Sequence, residues 1–370
     1  MIFKCEKQDL CEAVSVVSRA VSSKSALPIL EGMLIKTAGQ SIELFGYDLD
    51  TGIKTELNAS VEKQGSIVLP AKMLLDIAKN LPDGTVTISS DERYLTQINC
   101  CSASFTILGM KPEEFPEFPL INDAAELSVP QNLMRSMIEQ TIFAVSQSDA
   151  KPVHMGSLFE LEKDKLTIVS VDGYRLALRR EKIKNDSVMR FVVHGRALNE
   201  LSKILKSDSD DEISITVSKR HIMFKVDEYC IFTRLLEGDF LDYNTAIPKD
   251  ASLRVKVSAR PFINSVERVS LLISDKIKSP LRVKIEGNEI SLNCSTTLGK
   301  ASDVVTAQCD GKGLEIGFNS RYLLDALRAA ESDEVVFEIS GQLSPMKVLP
   351  ASGDSFVFLV LPVRLKSEGI

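Results

Sequence analysis

The sequence contains no tryptophan and only three histidines among its 370 residues. His154, His194 and His221 lie far apart along the chain, so they are not expected to form a catalytic or metal-binding group. The seven cysteines contain no CxxC pair and no histidine at metal-ligand spacing. This pattern argues against a zinc site and favours reduced thiols over a disulfide framework.

The motifs of the common enzyme classes are also absent. The sequence has no GxxxxGK[ST] phosphate loop, no GxGxxG after a strand, no GxSxG elbow and no HExxH. The remaining candidates for a hydrolase are Asp48, Asp50 and Asp172. No histidine, third carboxylate or nucleophile accompanies them, so an ordinary role in turns is favoured.

Long apolar runs are missing as well. No segment reaches the ~18–20 apolar residues of a membrane span, so we expect no contact with a membrane. The first residues, MIFKCEKQDL, lack the basic and apolar parts of a signal peptide, and we expect a cytoplasmic protein. The net charge of −7 argues against nucleic-acid binding only if charge is spread evenly over the surface.

The sequence contains one segment that occurs in three similar copies. The copies are IVLPAKMLLDIAKNL from Ile67, FVVHGRALNELSKIL from Phe191 and IGFNSRYLLDALRAA from Ile316, with offsets of 124 and 125 residues. Each copy predicts a short strand, a turn residue and a helix. A period of this length has the size of a whole small domain, which predicts one domain fold used three times.

Two further patterns recur in phase with this segment. Apolar residues spaced i, i+4, i+7 and i+11 predict an amphipathic helix near the start of each domain. They are Leu10, Val14, Val17 and Val21, then Met134, Ile138, Thr141 and Val145, then Phe262, Val266, Val269 and Ile273. Alternating segments predict antiparallel strands. We therefore expect an α+β fold with domains at 1–122, 126–248 and 252–365, and a tail at 366–370.

The repeated helix carries a basic stripe. Lys72, Asp76 and Lys79 lie at i, i+4 and i+7, and each later copy repeats the charges with Arg196, Glu200 and Lys203 and with Arg321, Asp325 and Arg328. One interpretation is a solvated face with weak helix ion pairs of ~0.3–0.5 kcal/mol each. The other is a surface that faces a polyanion. A repeat scaffold that binds only protein would have the same fold without a basic inner face.

The chain resembles the bacterial DNA polymerase III beta subunit family, the sliding clamps. The resemblance is carried by LPIL at 27–30, DGYRLA at 172–177, GDFLDYNTAIP at 238–248, GFNSRYLLDAL at 317–327 and VLPVRL at 360–365. It implies three tandem clamp domains with antiparallel sheets outside and two helices inside. It also implies a head-to-tail homodimer that forms a six-domain ring around duplex DNA and has no catalytic activity or cofactor.

The ring can be checked by size. Helices pack ~8–10 Å apart, so two helices per domain give a hole of roughly 17 Å for three domains and roughly 34 Å for six. Only six domains leave room for a hydrated duplex. The implied partners are double-stranded DNA without sequence preference, the replicative DNA polymerase, the clamp loader and other clamp-binding replication and repair proteins.

The resemblance also assigns site residues by matched position. The expected DNA-facing residues are Lys24, Lys72, Lys79, Arg196, Lys203, Arg321 and Arg328. The expected partner-peptide pocket consists of Gly173, Tyr174, Arg175, Leu176, Leu241, Leu361, Pro362, Val363 and Arg364. The expected dimer interface joins Phe105 and Ile107 to Leu272 and Ile273 of the second subunit. Leu241 stands where the family often has proline, and Tyr174 where it often has histidine.

Overall fold

The described part of the chain divides into two compact units. A computed structural model describes residues 1–119, 121, 124–274 and 279–365, so the predicted tail at 366–370 lies outside the described residues. One unit comprises Met1–Arg135 with Arg196–Leu235, and the other comprises Ser136–Gly195 with Leu236–Ile370. The second predicted domain therefore contributes to both units.

The helices of the described residues are short, and six of the seven form three pairs, one in each repeat. They are α1 Lys7–Val17, α2 Ala71–Asn80, α3 Gln131–Glu139, α4 Gly195–Ile204, α5 Tyr243–Ala246, α6 Ala259–Val269 and α7 Ser320–Ala329. The single-turn helix α5 was not predicted. It begins where the Asp242 side chain accepts a hydrogen bond from the backbone N–H of Asn244 (3.2 Å).

The strands account for most of the remaining chain. The first thirteen are β1 Ile2–Glu6, β2 Gly32–Ala38, β3 Ser41–Tyr47, β4 Thr51–Asn58, β5 Ser60–Lys63, β6 Ser66–Pro70, β7 Thr85–Ser90, β8 Leu95–Cys100, β9 Ala103–Leu108, β10 Ala125–Pro130, β11 Gly156–Glu162, β12 Lys165–Val171 and β13 Arg175–Lys182.

The second half of the chain continues the same pattern. Its strands are β14 Met189–His194, β15 Glu212–Val217, β16 His221–Val226, β17 Tyr229–Arg234, β18 Leu253–Ser258, β19 Leu281–Glu286, β20 Glu289–Thr296, β21 Gly299–Thr306, β22 Gln308–Gly311, β23 Leu314–Phe318, β24 Glu334–Ile339, β25 Met346–Pro350 and β26 Phe356–Val360.

The first unit contains two antiparallel sheets. One has the strand order β5-β1-β7-β8-β9, and the other has the order β10-β15-β16-β17-β4-β3-β2-β6. In the larger sheet β17 of the second repeat pairs with β4 of the first, with Ile231 opposite Ile53. A continuous sheet thus joins parts of two repeats.

The second unit repeats this arrangement. Its sheets have the orders β14-β11-β12-β13-β26-β25-β24-β18-β22 and β21-β20-β19-β23. Here β13 of the second repeat pairs with β26 of the third, with Leu176 opposite Leu359. This pairing places β26 beside the DGYRLA segment.

The predicted strand–turn–helix repeat is confirmed by β6 with α2, β14 with α4 and β23 with α7. The apolar position shared by the three copies is held by Leu74, Leu198 and Leu323, which are all fully buried. In the third copy the Asn319 side chain caps α7 by accepting a hydrogen bond from the backbone N–H of Arg321 (3.0 Å).

The first helix of each repeat is shorter than its apolar stripe predicts. α1, α3 and α6 end before Val21, Val145 and Ile273, and a 3-10 turn follows each helix. A physical reason is visible in two copies. The Ser18 hydroxyl donates to the Val14 carbonyl (2.5 Å), and the Thr141 hydroxyl donates to the Met137 carbonyl (2.8 Å). Such bonds to the carbonyl four residues earlier compete with the helix.

Candidate functional site

The basic stripe lies on exposed faces of α2, α4 and α7, and its members differ in their partners. Each of the seven residues expected to face DNA is exposed. Arg196, Lys203 and Arg328 form ion pairs with Asp48 (2.5 Å), Glu200 (2.8 Å) and Glu267 (2.7 Å). Within the described residues, no carboxylate lies within 4.0 Å of the cations of Lys24, Lys72, Lys79 and Arg321. These four cations are therefore free to attract an external anion.

Asp48, a catalytic candidate in the sequence, has a structural role. Its Oδ1 accepts hydrogen bonds from the backbone N–H groups of Asp50 (3.1 Å) and Thr51 (2.8 Å), and its Oδ2 accepts from Arg196. Both carboxylate oxygens are thus occupied in holding the turn between β3 and β4 and in orienting α4.

The expected peptide pocket combines two chain segments that the structure brings together. β13 and β26 pair with Arg175 opposite Val360. The backbone N–H of Leu361 then donates to the Tyr174 carbonyl (2.9 Å), and that of Val363 donates to the Gly317 carbonyl (2.8 Å). Gly173, at φ +89°, forms the turn that precedes Tyr174. Residues 173–176 and 361–364 therefore lie side by side, although the 184 residues 177–360 separate them in the sequence.

Leu176 forms the floor of this region and not its surface. It is 2% exposed and belongs to an apolar cluster with Phe240, Tyr243 and Leu359. Leu241 follows the buried Phe240 directly and is exposed. The exposed apolar side chains of the region are Tyr174, Leu241, Leu361 and Val363. Leu176 is instead buried in the same apolar cluster as Phe240, the residue that precedes Leu241.

Arg175 is enclosed by partners within its own unit. Its Nε donates to Asp172 (2.9 Å), and it forms a second short ion pair with Asp325 of α7. Its guanidinium lies 4.6 Å from the ring centre of Tyr322 and 5.5 Å from that of Phe143. Because these contacts use the planar faces as well as the donors of the guanidinium, Arg175 connects β13 to α7.

Asp172, the third catalytic candidate, is also fully engaged. Its Oδ1 accepts hydrogen bonds from the backbone N–H groups of Tyr174 (2.9 Å) and Arg175 (3.0 Å), and its Oδ2 binds the Arg175 side chain. The predicted tight turn at Asp172-Gly173 is confirmed, and its carboxylate holds the turn closed.

Two aromatic residues near the pocket were missed by the sequence. Tyr322 of α7 stacks on Tyr174 with ring centres 5.9 Å apart. Burial, and after it the charge of Asp172, raise the pKa of Tyr322. His154 contacts Phe240 edge-on at 5.4 Å, and burial followed by the charge of Lys151 lowers its pKa. No periodicity marks either residue, since both contacts join segments distant in sequence.

The residues expected at the dimer interface differ in exposure. β9 is an edge strand, and Phe105 on it is partly exposed in an apolar groove of about 530 Å³ that Pro70, Met73 and Ile77 also line. Ile107 is only 8% exposed, so its side chain is already buried within its own chain.

The other expected side of the interface lies just after α6. Leu272 and Ile273 are partly buried against the core of their own unit. The neighbouring Leu271, which the sequence did not single out, is 82% exposed. Leu271 is thus the most protruding apolar side chain of this turn.

The described residues contain neither a metal-binding cluster nor a helix that could span a membrane. Within them, no group of three or more histidine, cysteine, aspartate or glutamate side chains could hold a metal ion. No helix among them is both long and apolar enough to cross a bilayer.

The chain matches three protein-family models in succession. They describe the N-terminal domain of the DNA polymerase III beta subunit at residues 1–119, its central domain at 128–242 and its C-terminal domain at 244–364. Together the three matches account for nearly the whole chain.

Individual relatives agree with the family models. The beta sliding clamp of Bacillus subtilis is 33% identical over 378 residues, which cover 98% of this chain and all of that protein. That of Halalkalibacterium halodurans is 33% identical over 379 residues, with the same coverage.

Solved structures are similar in fold. The crystal structure of the Bacillus subtilis clamp matches with a TM-score of 0.94 at 32% identity, covering 99% of this chain and 100% of that one. A Pseudomonas aeruginosa sliding clamp bound to griselimycin matches with a TM-score of 0.92 at 26% identity, covering 99% and 100%.

Proposed function

This chain belongs to the DNA polymerase III beta subunit family, the beta sliding clamps, and from that premise we propose which of its surfaces carry the function. It is a processivity factor and an accessory subunit without catalytic activity of its own. The prediction of an α+β fold with three tandem clamp domains is confirmed. The hydrolase alternative is set aside, in agreement with the structural roles of Asp48 and Asp172.

The proposal for the whole assembly is a head-to-tail homodimer. Two chains, each with domains at 1–122, 126–248 and 252–365, form a six-domain ring around duplex DNA in the cytoplasm. The ring tethers the replicative DNA polymerase and is opened and closed by a clamp loader. The observation that carries this proposal is the exposed basic face that each of the three repeats presents on its second helix.

The proposed DNA-facing residues attract the phosphate backbone without reading bases. Binding of this kind releases counterions, depends strongly on salt and lets a protein slide along the duplex. Lys24, Lys72, Lys79 and Arg321 supply the larger share of this attraction, since they have no nearby carboxylate among the described residues. Arg196, Lys203 and Arg328 contribute less because their charges are shared with acidic partners.

The proposed peptide site is the surface of Tyr174, Leu241, Leu361 and Val363. Apolar side chains with a few adjacent polar groups suit a short peptide from a partner protein. Leu176 and Arg175 hold this surface in place from the interior. We infer that the polymerase and the other replication and repair proteins bind at this same surface.

The proposed subunit boundary pairs two open sheet edges. β9 ends the sheet of the first repeat, and β21 ends the sheet of the third. An edge strand offers unpaired backbone groups that a second chain can complete. Phe105 is part of β9 and lines the apolar groove. Leu271 lies in the turn that packs on β20 and β21. Phe105 and Leu271 are therefore proposed as the principal contacts, with Leu272, Ile273 and Ile107 supporting them.

Encirclement can be tested by topology. The protein is loaded by the clamp loader with ATP onto a nicked circular plasmid, separated from free protein by gel filtration, and the plasmid is then cut once. We expect retention on the circle and loss from the linear molecule, because a ring slides off a free end. Equal retention on both forms would contradict a ring and indicate ordinary binding to DNA.

A further inference from the structure

Two adjacent cysteines lie at the turn that leads into β9. Cys100 is the last residue of β8 and is buried, whereas Cys101 is exposed in the turn. Cys101 adopts φ +50°, in the left-handed region that favours glycine. In the tight hairpin between β8 and β9, Cys100 pairs with Ala103. A cysteine thus occupies a position where glycine would be less strained.

In this conformation both sulfur atoms lie close to the segment 82–84. Successive side chains of a strand point to opposite faces, but here both thiols face the segment 82–84. Cys100 Sγ lies 3.2 Å from the Pro82 carbonyl oxygen, and Cys101 Sγ lies 3.7 Å from that of Asp83. A methyl group added to Gly84 would lie 3.3 Å from Cys101 Sγ and 3.8 Å from Cys100 Sγ.

We propose that Cys100 and Cys101 form a redox-modification site, in which hydrogen peroxide or another peroxide converts the two thiols to a reversible disulfide between neighbouring residues. In the first step the Cys101 thiolate attacks a peroxide oxygen. The O–O bond breaks, Cys101 becomes a sulfenic acid, and hydroxide leaves. In the second step the Cys100 sulfur attacks the Cys101 sulfur. The S–S bond forms, the S–O bond breaks, and water leaves with the Cys100 proton.

The order of the steps follows from exposure. Cys101 meets the solvent, whereas burial, and after it a hydrogen bond with Cys101, raise the pKa of Cys100 and keep it protonated. Cys100 is therefore a poor nucleophile toward peroxide in solution. It can still react with the sulfenic acid beside it, because the second step is intramolecular.

The disulfide is expected to be readily reduced. A trans peptide bond fixes neighbouring Cα atoms about 3.8 Å apart, which is closer than the ~4.4–6.8 Å of ordinary disulfides. Strained and exposed disulfides have higher reduction potentials and are the labile ones. A cellular thiol such as glutathione would thus restore the dithiol.

Oxidation would also act on the proposed dimer edge. β9 begins at Ala103, two residues after Cys101, and it carries Phe105. A disulfide that redirects the turn displaces the start of this edge strand, so we expect the oxidised protein to dimerise more weakly. This step rests on the proposed ring, whereas the formation of the disulfide does not.

The site is tested by mass spectrometry of the intact, folded protein. After peroxide treatment the free thiols are alkylated, and the tryptic peptide that begins at Tyr94, whose only cysteines are Cys100 and Cys101, is measured. We expect that peptide to lack two hydrogen atoms, to carry no alkyl group and to regain both thiols after incubation with glutathione. Cys101→Gly suits the left-handed turn and should remain folded without forming the bond. Cys309→Ser, which removes a distant thiol, should behave as the unmodified protein.

Several results would overturn the site. They are a peptide with both cysteines alkylated, a peptide with Cys101 present as a sulfinic acid, and a disulfide from either cysteine to another peptide.

Sedimentation of the oxidised and reduced proteins then tests the coupling. The coupling between oxidation and dimerisation is supported if the dimer dissociation constant rises on oxidation in the unmodified protein but not in Cys101→Gly. An unchanged constant in a fully oxidised sample overturns the coupling and leaves the site standing.

Discussion

At the scale of the residue, the side chains grouped by family position have different physical tasks. Arg175 and Leu176 are adjacent members of the expected pocket, yet both are largely enclosed by their own unit. Arg175 joins β13 to α7 through Asp325, and Leu176 fills the apolar cluster under the pocket. Leu361 is instead 36% exposed beside them. Substitutions at these positions should therefore separate stability from binding.

The first prediction compares the same truncation at two neighbouring leucines. Leu361→Ala should reduce the affinity for a clamp-binding peptide about tenfold or more, because exposed apolar anchors carry much of such binding. Its unfolding temperature should change little. Leu176→Ala should lower the free energy of unfolding by ~2–4 kcal/mol, because it opens a cavity in the core. Peptide titration and thermal denaturation check both proteins. Unchanged affinity in Leu361→Ala would place the site elsewhere.

The second prediction concerns pH and His154. Burial lowers the pKa of His154 in the folded protein below the ordinary histidine value of about 6.5, so folding favours the neutral imidazole. The associated stability is present above pH 6.5 and is lost as pH falls through the lowered folded pKa. His154→Gln should therefore lose less thermal stability than the unmodified protein between about pH 7 and pH 5. Burial also lowers the pKa of His221, so the pH dependence of His221→Gln is measured beside that of His154→Gln. Equal pH dependence in His154→Gln and the unmodified protein would contradict this assignment.

At the scale of the element, the repeated helices show what the sequence could and could not predict. The order of strand, turn and helix in the repeated segment, its buried leucines and its exposed basic residues follow from local periodicity, and the structure agrees with each of them. The first helix of each repeat instead ends earlier than its apolar periodicity predicts. Periodicity carries no information on contacts between distant segments. The pair Arg175–Asp325, the stacking of Tyr174 on Tyr322 and the pairing of Arg196 with Asp48 were missed for this reason.

The third prediction tests whether retention on DNA depends on Lys72, Lys79 and Arg321 in particular or only on the net charge of the protein. Lys72→Gln, Lys79→Gln and Arg321→Gln together should shorten retention on nicked circular DNA and flatten its dependence on salt. The slope of log K against log salt should fall by up to about 0.9 for each lost phosphate contact. The matched control removes three exposed lysines outside the helices, Lys184, Lys219 and Lys312, by the same change to Gln. An equal effect of both triple variants would show that only net charge matters.

At the scale of the whole molecule, the joints between repeats are built in a related way. A 3-10 turn follows the first helix of each repeat, at Ser18–Ala20, Ile142–Ala144 and Ser270–Leu272. In the first turn, Arg19 contacts Arg196 and Glu200 of α4, the second helix of the next repeat. The second turn packs on α7, and its Phe143 lies against Arg175. By this pattern the third turn needs the second helix of a following repeat.

In a head-to-tail dimer that helix is α2 of the second chain. α2 lines the apolar groove with Phe105, and the middle residue of the third turn is Leu271, which is 82% exposed. Insertion of Leu271 into the groove would bury an apolar side chain on both subunits, as the core of a stable interface does. The internal joints thus support Leu271, beside the residues expected from the sequence, as the anchor of ring closure.

The fourth prediction is that Leu271→Asp gives a folded monomer. The substitution removes the apolar anchor and places a charge that must lose water on binding in a groove whose lining is mainly apolar, although Lys72 and Asp76 also border it. The dimer should weaken by ~2 kcal/mol or more, which is at least about thirtyfold in the dissociation constant. Leu343→Asp is the matched control, because Leu343 is 66% exposed in a different turn and should leave the dimer intact. Sedimentation at low protein concentration measures the association, and circular dichroism checks the fold. The monomer should also fail to remain on nicked circular DNA, since a half ring cannot enclose a duplex. A Leu271→Asp protein that dimerises as tightly as Leu343→Asp would show that closure depends on other contacts.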